Sequence, residues 1–165
     1  MQKNKKDEST NQNNQAQINI VAFYLKDVSF ESPESPAVFQ RSNAPNVSFN
    51  FDTTHRPVSD GLFEVTLKVR VTAKETPETN SKTLFLTEVQ QAGLFTISGL
   101  TPEQQSHALG SYCPSILFPY ARQVVANLTS QGNFPTCQLP PINFDAIYFA
   151  QQQKATETEV ETEIA

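Results

Sequence analysis

The clearest pattern in the chain lies in Leu62 to Ala73, where apolar and polar positions alternate from Phe63 onwards. An alternation with a period of two residues is typical of a β-strand that buries one face and exposes the other to water. The segment is therefore predicted to be such a strand, and its water-facing positions are Glu64, Thr66, Lys68, Arg70 and Thr72.

The preceding segment also alternates, with Val47, Phe49 and Phe51 separated by polar residues. Residues 54–61 contain Pro, Ser, Asp and Gly, which favour turns, and are predicted to join these two strands.

Two further strands are predicted at the ends of this region. Ile18 to Phe30 has apolar residues at both odd and even positions as far as Leu25 and then a charge at Lys26, so a bulge or a change of burial is expected near that point. The fourth strand runs from about residue 83 to residue 91, and the pattern allows a continuation to residue 97.

The second half of the chain has helical spacing instead. Thr101 is a good N-cap, Pro102 suits the first helical position, and Gln104 completes a capping box. Apolar residues then recur every three or four positions as far as Gly132, although Pro114 and Pro119 are expected to kink or interrupt the helix. A short second helix is predicted over residues 143–150.

The 165 residues predict one domain with polar ends. Residues 1–17 have almost no apolar side chains and are predicted to form a disordered tail, and residues 151–165 form a second, acidic and flexible tail. The folded unit is therefore expected to span residues 18–150.

The charge balance restricts the possible partners. Twelve Lys and Arg against seventeen Asp and Glu give a net charge of −5, which argues against binding nucleic acid. The longest apolar run is six residues, far short of the roughly 20 that a membrane span needs, and no export signal is visible, so a cytoplasmic protein is predicted.

The helical half is unusually poor in charge. Between residues 101 and 150 the only charged side chains are Glu103, Arg122 and Asp145, whereas seven aromatic residues fall in the same stretch. A peripheral helix ordinarily carries charges on its solvent face. The segment is therefore expected to pack in an oligomer, to offer apolar area to a partner, or both.

No catalytic, metal or cofactor site is predicted. His55 falls in a turn and His107 in a helix, and neither has an evident partner for acid–base chemistry. Cys113 is expected to be a buried small apolar residue, and nucleotide-binding loops and zinc-type spacings are absent from the sequence. The protein is therefore predicted not to be an enzyme.

Strand parity groups one set of polar residues. Asp27, Ser29 and Glu31 share one face of the first strand, and Leu86, Glu88 and Gln90 share one face of the fourth. If the two faces coincide, three carboxylates lie together, either as a merely solvated surface or as a docking site for a basic partner. The opposite parity of the fourth strand carries Thr87, Val89 and Gln91.

Five longer motifs resemble the SecB family of bacterial preprotein-export chaperones. They are Lys26-Asp-Val-Ser-Phe-Glu31, Pro36-Ala-Val-Phe-Gln40, Glu88-Val-Gln-Gln-Ala-Gly-Leu-Phe-Thr-Ile-Ser-Gly99, Ser111-Tyr-Cys-Pro-Ser-Ile-Leu-Phe-Pro-Tyr-Ala-Arg122 and Asn143-Phe-Asp-Ala146. The resemblance covers about residues 18–150. It implies an α+β fold, with a four-stranded antiparallel sheet, a long kinked helix and a short C-terminal helix, assembled as a homotetrameric dimer of dimers.

The resemblance also implies a function and its surfaces. The family holds unfolded preproteins without ATP and delivers them to the SecA translocation ATPase; SecB-like proteins that control toxin–antitoxin systems are the alternative. The implied SecA-docking residues are Asp27, Glu31, Leu86 and Glu88. The implied tetramer contacts are Thr87, Val89 and Gln91, and the client-binding candidates are Val47, Phe49, Phe51, Tyr120, Ile147 and Tyr148.

Overall fold

The computed structural model describes residues 15–41, 45–75 and 82–164, with side chains as far as residue 155. Its four strands are β1 (Gln17–Glu31), β2 (Asn46–Ser59), β3 (Leu62–Lys74) and β4 (Thr83–Ser98). They form one antiparallel sheet in the order β1-β4-β3-β2, so β1 and β2 are the two edges. The predicted four-stranded antiparallel sheet is confirmed.

β1 pairs with β4 through two irregularities in register. One lies between Ile20 and Ala22 and the other between Leu25 and Asp27. The second confirms the bulge predicted near Lys26. Each bulge adds one residue, so the positions that face a given side of the sheet change between odd and even numbers. This explains why apolar residues occur at both odd and even positions of the segment.

The hairpin between β2 and β3 is tighter than the sequence suggested. β2 continues to Ser59, so the predicted turn over residues 54–61 is too long, and only Asp60 and Gly61 connect the strands. Pairing with β3 holds the Pro- and Ser-containing segment in strand conformation, because β2 is an edge strand where proline is tolerated. Gly61 has a φ of 65°, which a glycine adopts at little cost.

The long helix, here α1, spans residues 102–131. It begins with an α-helical part at Pro102–His107, passes through a π-helical turn at Ala108–Tyr112, and continues as an α-helix over Cys113–Gln131. The predicted capping box is present, with Thr101 as N-cap and Gln104 returning the hydrogen bond.

The two prolines do not end α1. The π turn directly precedes Pro114, and Pro119 lies inside the final α-helical part. A π turn contains one extra residue, and such turns occur inside helices where the regular ladder is locally disturbed. The expected interruption therefore takes the form of a π turn within one continuous helix.

α1 packs on one face of the sheet, which we call the helix face. The side chains that meet there are almost completely buried, including Val65, Leu67, Leu117 and Val125. Gly93 permits the close approach, because a Cβ atom at this position would lie 3.1 Å from Leu117 Cδ2. The opposite side of the sheet, the outer face, carries no helix among the described residues.

The final helix, α2, spans Phe144–Ile164 and starts where the second helix was predicted. It extends past the predicted end at residue 150, because Gln, Lys, Ala and Glu in this stretch all have favourable helix propensity. The predicted N-terminal tail falls mostly on residues 1–14, which lie outside the described part of the chain.

An aromatic cluster closes one end of the core. Phe30 and Phe85 are stacked with ring centroids 5.8 Å apart, and Phe134 lies 4.9 Å from Phe85. The segment that contains Phe134 is tied to the end of α1 by Thr129, whose hydroxyl accepts a 3.0 Å hydrogen bond from the backbone N–H of Cys137. This connection positions the chain for its return to α2.

Candidate functional site

An open cavity of about 250 Å³ lies between β2 and α2, on the helix face. Its apolar wall consists of Phe51, Phe144, Ile147 and Tyr148. Phe144 is buried and packs edge-on to Phe51 with ring centroids 5.5 Å apart. We call this the aromatic groove. Polar side chains, including Asp52, His55 and Gln151, complete its lining, so the groove can contact both the apolar side chains and the backbone of another polypeptide.

The π turn of α1 positions the wall of the groove. A Cβ atom at Gly110 would lie 2.7 Å from Tyr148 Cδ2, so only glycine lets the tyrosine ring pack this closely. The Tyr148 hydroxyl donates a 2.9 Å hydrogen bond to Ser106 Oγ. The His107 ring packs edge-on against the Tyr148 ring at 5.2 Å. The first turns of α1 thus fix the ring that lines the groove.

A carboxylate links the two helices beside the groove. Asp145 Oδ1 lies 2.8 Å from His107 Nε2 and accepts a hydrogen bond from the Ser111 hydroxyl. These two hydrogen bonds hold the pKa of Asp145 below its usual value, and the bond from Ser111 has the larger effect. The expectation that His107 has no partner is therefore wrong, since α2 folds back and supplies one.

The structure brings together three of the six client-binding candidates, namely Phe51, Ile147 and Tyr148. Val47 and Phe49 lie on the same face of β2 beyond the groove and are 42% and 37% exposed. Tyr120 is elsewhere, because it packs on Phe23 of β1 at the opposite edge of the sheet. The six candidates thus lie on two apolar surfaces at different edges of the sheet.

The four docking candidates share the outer face, as parity predicted. In the register of β1 and β4, Asp27 pairs with Gln90, and Glu31 pairs with Leu86. Glu88 lies between these pairs, opposite Ser29. Asp27 and Glu31 are exposed and make no ion pair within the described residues. We call Asp27, Glu31, Leu86 and Glu88 the outer-face patch.

Glu88 differs from the other two acids because β3 supplies two cations beside it. Lys68 Nζ lies 2.8 Å from Glu88 Oε1, and Arg70 Nη2 lies 2.5 Å from Oε2. The hydrogen bonds from these cations hold the pKa of Glu88 below its usual value, and the bond from Lys68 has the larger effect. The surface is therefore mixed in charge rather than uniformly acidic. The alternation patterns of β1 and β4 could not predict this, because the cations come from β3.

A second, more buried carboxylate lies on the same outer face. Glu64 is 4% exposed, although its position on β3 was predicted to face water. Its carboxylate accepts hydrogen bonds from the Tyr24 hydroxyl, from Lys26 at 3.0 Å and from Arg56 at 2.5 Å. These side chains come from β1 and β2, so one acid ties both edge strands to the centre of the sheet. Thr66, also predicted to face water, is 8% exposed.

The hydrogen bonds to the Glu64 carboxylate lower its pKa to about 2, and the bond from the Tyr24 hydroxyl has the largest effect. Burial is the main cause that raises the pKa of Tyr24 to about 12, and its hydrogen bond to the Glu64 carboxylate adds to the effect. The cluster therefore stays in one charge state, a carboxylate with a neutral tyrosine, over the whole physiological pH range.

The three residues on the opposite parity of β4 are buried within the single chain. Thr87 and Val89 are 0% exposed and Gln91 is 5% exposed. The Thr87 hydroxyl donates a 2.8 Å hydrogen bond to the Ser29 carbonyl, and the Gln91 amide donates a 3.0 Å bond to the Tyr24 carbonyl. Both polar side chains thus support β1 around its second bulge.

The remaining reactive side chains of the described residues include Cys113 and the potential metal ligands. Cys113 is fully buried, as predicted, and burial raises the pKa of its thiol to about 12, so it is no nucleophile. Within residues 15–41, 45–75 and 82–155, no three His, Cys, Asp or Glu side chains converge on one point. No described helix is both long and apolar enough to cross a membrane.

Comparisons with known proteins agree with the fold. The family model of SecB, the preprotein translocase subunit, matches residues 11–155. A solved SecB-like chaperone of Mycobacterium tuberculosis, in complex with a ChAD peptide from the antitoxin HigA1, superposes with a TM-score of 0.60 at 16% identity. That match covers 76% of this chain and 90% of the other chain. A protein of unknown function from Streptococcus agalactiae matches with a TM-score of 0.34 at 9% identity, covering 76% and 98%.

Proposed function

We propose, from the premise that this chain belongs to the SecB family, that it is a cytoplasmic holdase that keeps unfolded preproteins competent for export without ATP. Members of this family are chaperones rather than enzymes. The described surface is consistent with that role, because it offers exposed apolar area for binding.

The observation that carries the proposal is the exposed apolar strip on the helix face of β2. Val47 and Phe49 lead along the strand into the aromatic groove at Phe51. Burial of apolar area contributes roughly 25 cal/mol per Å² regardless of residue order, so such a strip suits clients that share no sequence.

We assign the outer-face patch to the docking of SecA. Asp27 and Glu31 remain available to a basic partner, whereas Glu88 is already engaged by Lys68 and Arg70. A partner would therefore compete with two cations of the same chain for Glu88. Because these charges lie near the surface, docking through the patch should weaken as salt is raised.

We propose that Thr87, Val89 and Gln91 support the homotetramer indirectly, through the residues of their own chain that they contact. Each is buried in one chain, so none has free area for a second copy. Their hydrogen bonds to β1 shape an edge strand that exposes Ile20, Leu25 and Val28. Substitutions at Thr87 or Gln91 would then alter assembly by changing the shape of β1.

The proposed activity is tested by native mass from light scattering, without nucleotide, in the presence and absence of an unfolded precursor. A particle of about four times 18.4 kDa that gains the mass of the precursor is expected. A particle that ignores the precursor and a permanently unfolded polypeptide alike would overturn the holdase assignment. A stable monomer would overturn the tetramer assignment alone.

SecA docking is tested separately with Glu88→Lys. This substitution places a third cation beside Lys68 and Arg70, so affinity for SecA should fall at least about tenfold while client capture is retained. Lys68→Gln is the matched variant: it removes one of the two cations on Glu88, leaves Arg70 in place, and should leave SecA affinity equal or higher. Equal loss of SecA binding and client capture in Glu88→Lys would contradict a separate docking surface.

A second candidate function is control of a toxin–antitoxin system. The Mycobacterium tuberculosis SecB-like chaperone was solved with an antitoxin peptide, and its fold is similar to this one. If this chain had that role, it should bind one antitoxin far more tightly than unrelated unfolded precursors. Comparable affinity for several unrelated precursors would favour the export role.

A further inference from the structure

The lysine that precedes Asp27 pairs with an acid on a different strand. Lys26 occupies the extra position in the second bulge of β1, between Leu25 and Asp27, and the register with β4 gives it no partner. Its Nζ atom lies 3.0 Å from each carboxylate oxygen of Glu64 on β3. Asp27 itself is exposed and forms no ion pair with any residue that the structure describes.

The bulge puts these two consecutive side chains on the same face of the sheet. Neighbouring residues of a regular strand point to opposite faces, and an extra residue breaks that alternation. Lys26 contacts Glu64 on the outer face, and Asp27 pairs there with Gln90. Consecutive Cα atoms are about 3.8 Å apart, which is less than the length of a lysine side chain. Lys26 would therefore reach the Asp27 carboxylate if Glu64 did not hold it.

The other lysine beside Asp27 is also held by a glutamate. Asp27 pairs with Gln90 on β4, and Gln90 pairs with Lys68 on β3, so the three residues lie in one row across the sheet. Lys68 Nζ lies 2.8 Å from Glu88 Oε1. Both lysines that flank Asp27 thus bind other acids, and this leaves its carboxylate available.

Glu64 can hold Lys26 but is poorly placed to bind a partner protein itself. The residue is 4% exposed, and its carboxylate also accepts hydrogen bonds from the Tyr24 hydroxyl and from Arg56 Nε at 2.5 Å. Water and salt screen a buried carboxylate less than an exposed one, so Glu64 attracts the Lys26 ammonium more strongly than Asp27 does. A second protein would find almost no accessible surface on Glu64.

We infer that Glu64 is a positioning residue for docking on the outer-face patch, because its ion pair with Lys26 keeps Asp27 free for a basic side chain of the partner. The inference rests on the proposed docking of SecA and adds to it a residue that lies outside the patch. Without Glu64, Lys26 would pair with Asp27. The partner would then compete with a cation of this chain at Asp27, as it already does at Glu88.

The test measures the affinity of the full chain for SecA at low salt. Glu64→Gln should weaken docking about threefold to fivefold, which is the effect of one partly exposed ion pair. Adding Lys26→Met, which removes the charge and keeps an unbranched side chain, should restore the affinity. Adding Arg56→Met instead is the matched control. Glu64→Gln releases Arg56 as well, but Arg56 lies on β2, at the opposite edge of the sheet from Asp27, so this second change should not restore docking.

Two further readouts separate positioning from a purely structural role. The loss of affinity in Glu64→Gln should shrink as salt is raised, because the charges at Asp27 are exposed. Client capture should stay unchanged. A loss of docking that Lys26→Met leaves in place would show that Glu64 acts only through the stability of the fold, and would overturn the inference.

The inference and the docking assignment can fail separately. Unchanged SecA affinity in Glu64→Gln would remove the positioning role and leave the outer-face patch as the docking surface. If the unsubstituted chain did not bind SecA at low salt, the docking assignment itself would be refuted, and the role of Glu64 with it.

Discussion

At the scale of single residues, two carboxylates on the outer face each form ion pairs with cations from other strands. Glu64 binds Lys26 from β1 and Arg56 from β2, and Glu88 binds Lys68 and Arg70 from β3. These pairs differ in depth. The Glu64 carboxylate is buried and accepts a third hydrogen bond from Tyr24, so its removal should cost more than removal of a surface pair.

The first prediction concerns the pH dependence of Glu64→Gln. The folded-state pKa of Glu64 is about 2, below the ordinary 4.5, so its stabilisation is present above pH 4.5 and is lost as pH falls towards 2. At pH 7 the substitution should lower the free energy of unfolding by about 1 to 2 kcal/mol, since the cations stay partly solvated. The deficit should shrink between pH 4.5 and pH 2.

Urea unfolding of both proteins at fixed concentration and several pH values measures this difference. Glu31→Gln is the matched control, since this exposed acid has no ion pair in the described part of the chain, and it should change stability by less than about 0.5 kcal/mol. A deficit for Glu64→Gln that stays constant from pH 7 to pH 2.5 would contradict the assignment.

At the scale of elements, the π turn of α1 is the feature that joins fold and binding surface. It lies where α1 meets α2, and it presents Gly110 to the ring of Tyr148. π turns are rare in proteins and are often found at functional sites. Here the turn lets α2 approach closely enough for Tyr148 and Ile147 to form a groove with β2.

The second prediction tests this close approach with Gly110→Ala. The new Cβ would lie 2.7 Å from the Tyr148 ring, so unfolding free energy should fall by about 1 to 3 kcal/mol, and affinity for unfolded clients should fall as well. In a Tyr148→Ala background the same change should be neutral or stabilising by up to about 1 kcal/mol, since alanine is the better helix former.

A double-mutant cycle by urea unfolding measures the coupling between the two positions. The same destabilisation by Gly110→Ala in both backgrounds would show that the glycine is needed for the backbone of the π turn and not for the approach of Tyr148.

At the scale of the whole molecule, the two faces of the sheet have different chemistry. The helix face exposes apolar side chains at both edges, including Ile20, Leu25, Val47 and Phe49. The outer face carries the charged clusters. A protein that captures apolar segments on one face and docks on a partner through the other can bind both at once. Under the proposed function, docking on the outer face would then drive release of a bound client.

The third prediction separates client capture from stability with Phe49→Ser. Phe49 is 37% exposed on the strip that leads to the aromatic groove, so its loss should weaken binding of a permanently unfolded polypeptide about fivefold to tenfold. The free energy of unfolding should fall by no more than about 2 kcal/mol, because Phe49 is already partly exposed. Fluorescence anisotropy of a labelled client measures the affinity.

Val58→Ser provides the control for exposed apolar area on the same strand. Val58 is 46% exposed near the far end of β2, beyond the strip, and its substitution should leave client affinity unchanged. Equal effects of both substitutions would mean that the edge of β2 binds clients without a defined strip.

The sequence by itself determined the elements and the face on which each strand residue lies. Alternation with a period of two follows from backbone geometry within one strand, so the sequence grouped Asp27 with Glu31, and Leu86 with Glu88. The pairing of β1 with β4 then put both groups on the same face. The helix start at Thr101 was equally local, because a capping box involves residues only three positions apart. The long motifs also indicated the family, which the family model confirms.

Only the tertiary structure decided which side chains meet. The order β1-β4-β3-β2 separates Tyr120 from Phe51 and places Lys68 and Arg70 beside Glu88. It also buries Glu64, and the return of α2 gives His107 its partner. Such contacts depend on register and on the packing of segments far apart in the chain, which are set by burial of the whole core. A local pattern fixes the face of a residue but not its neighbours.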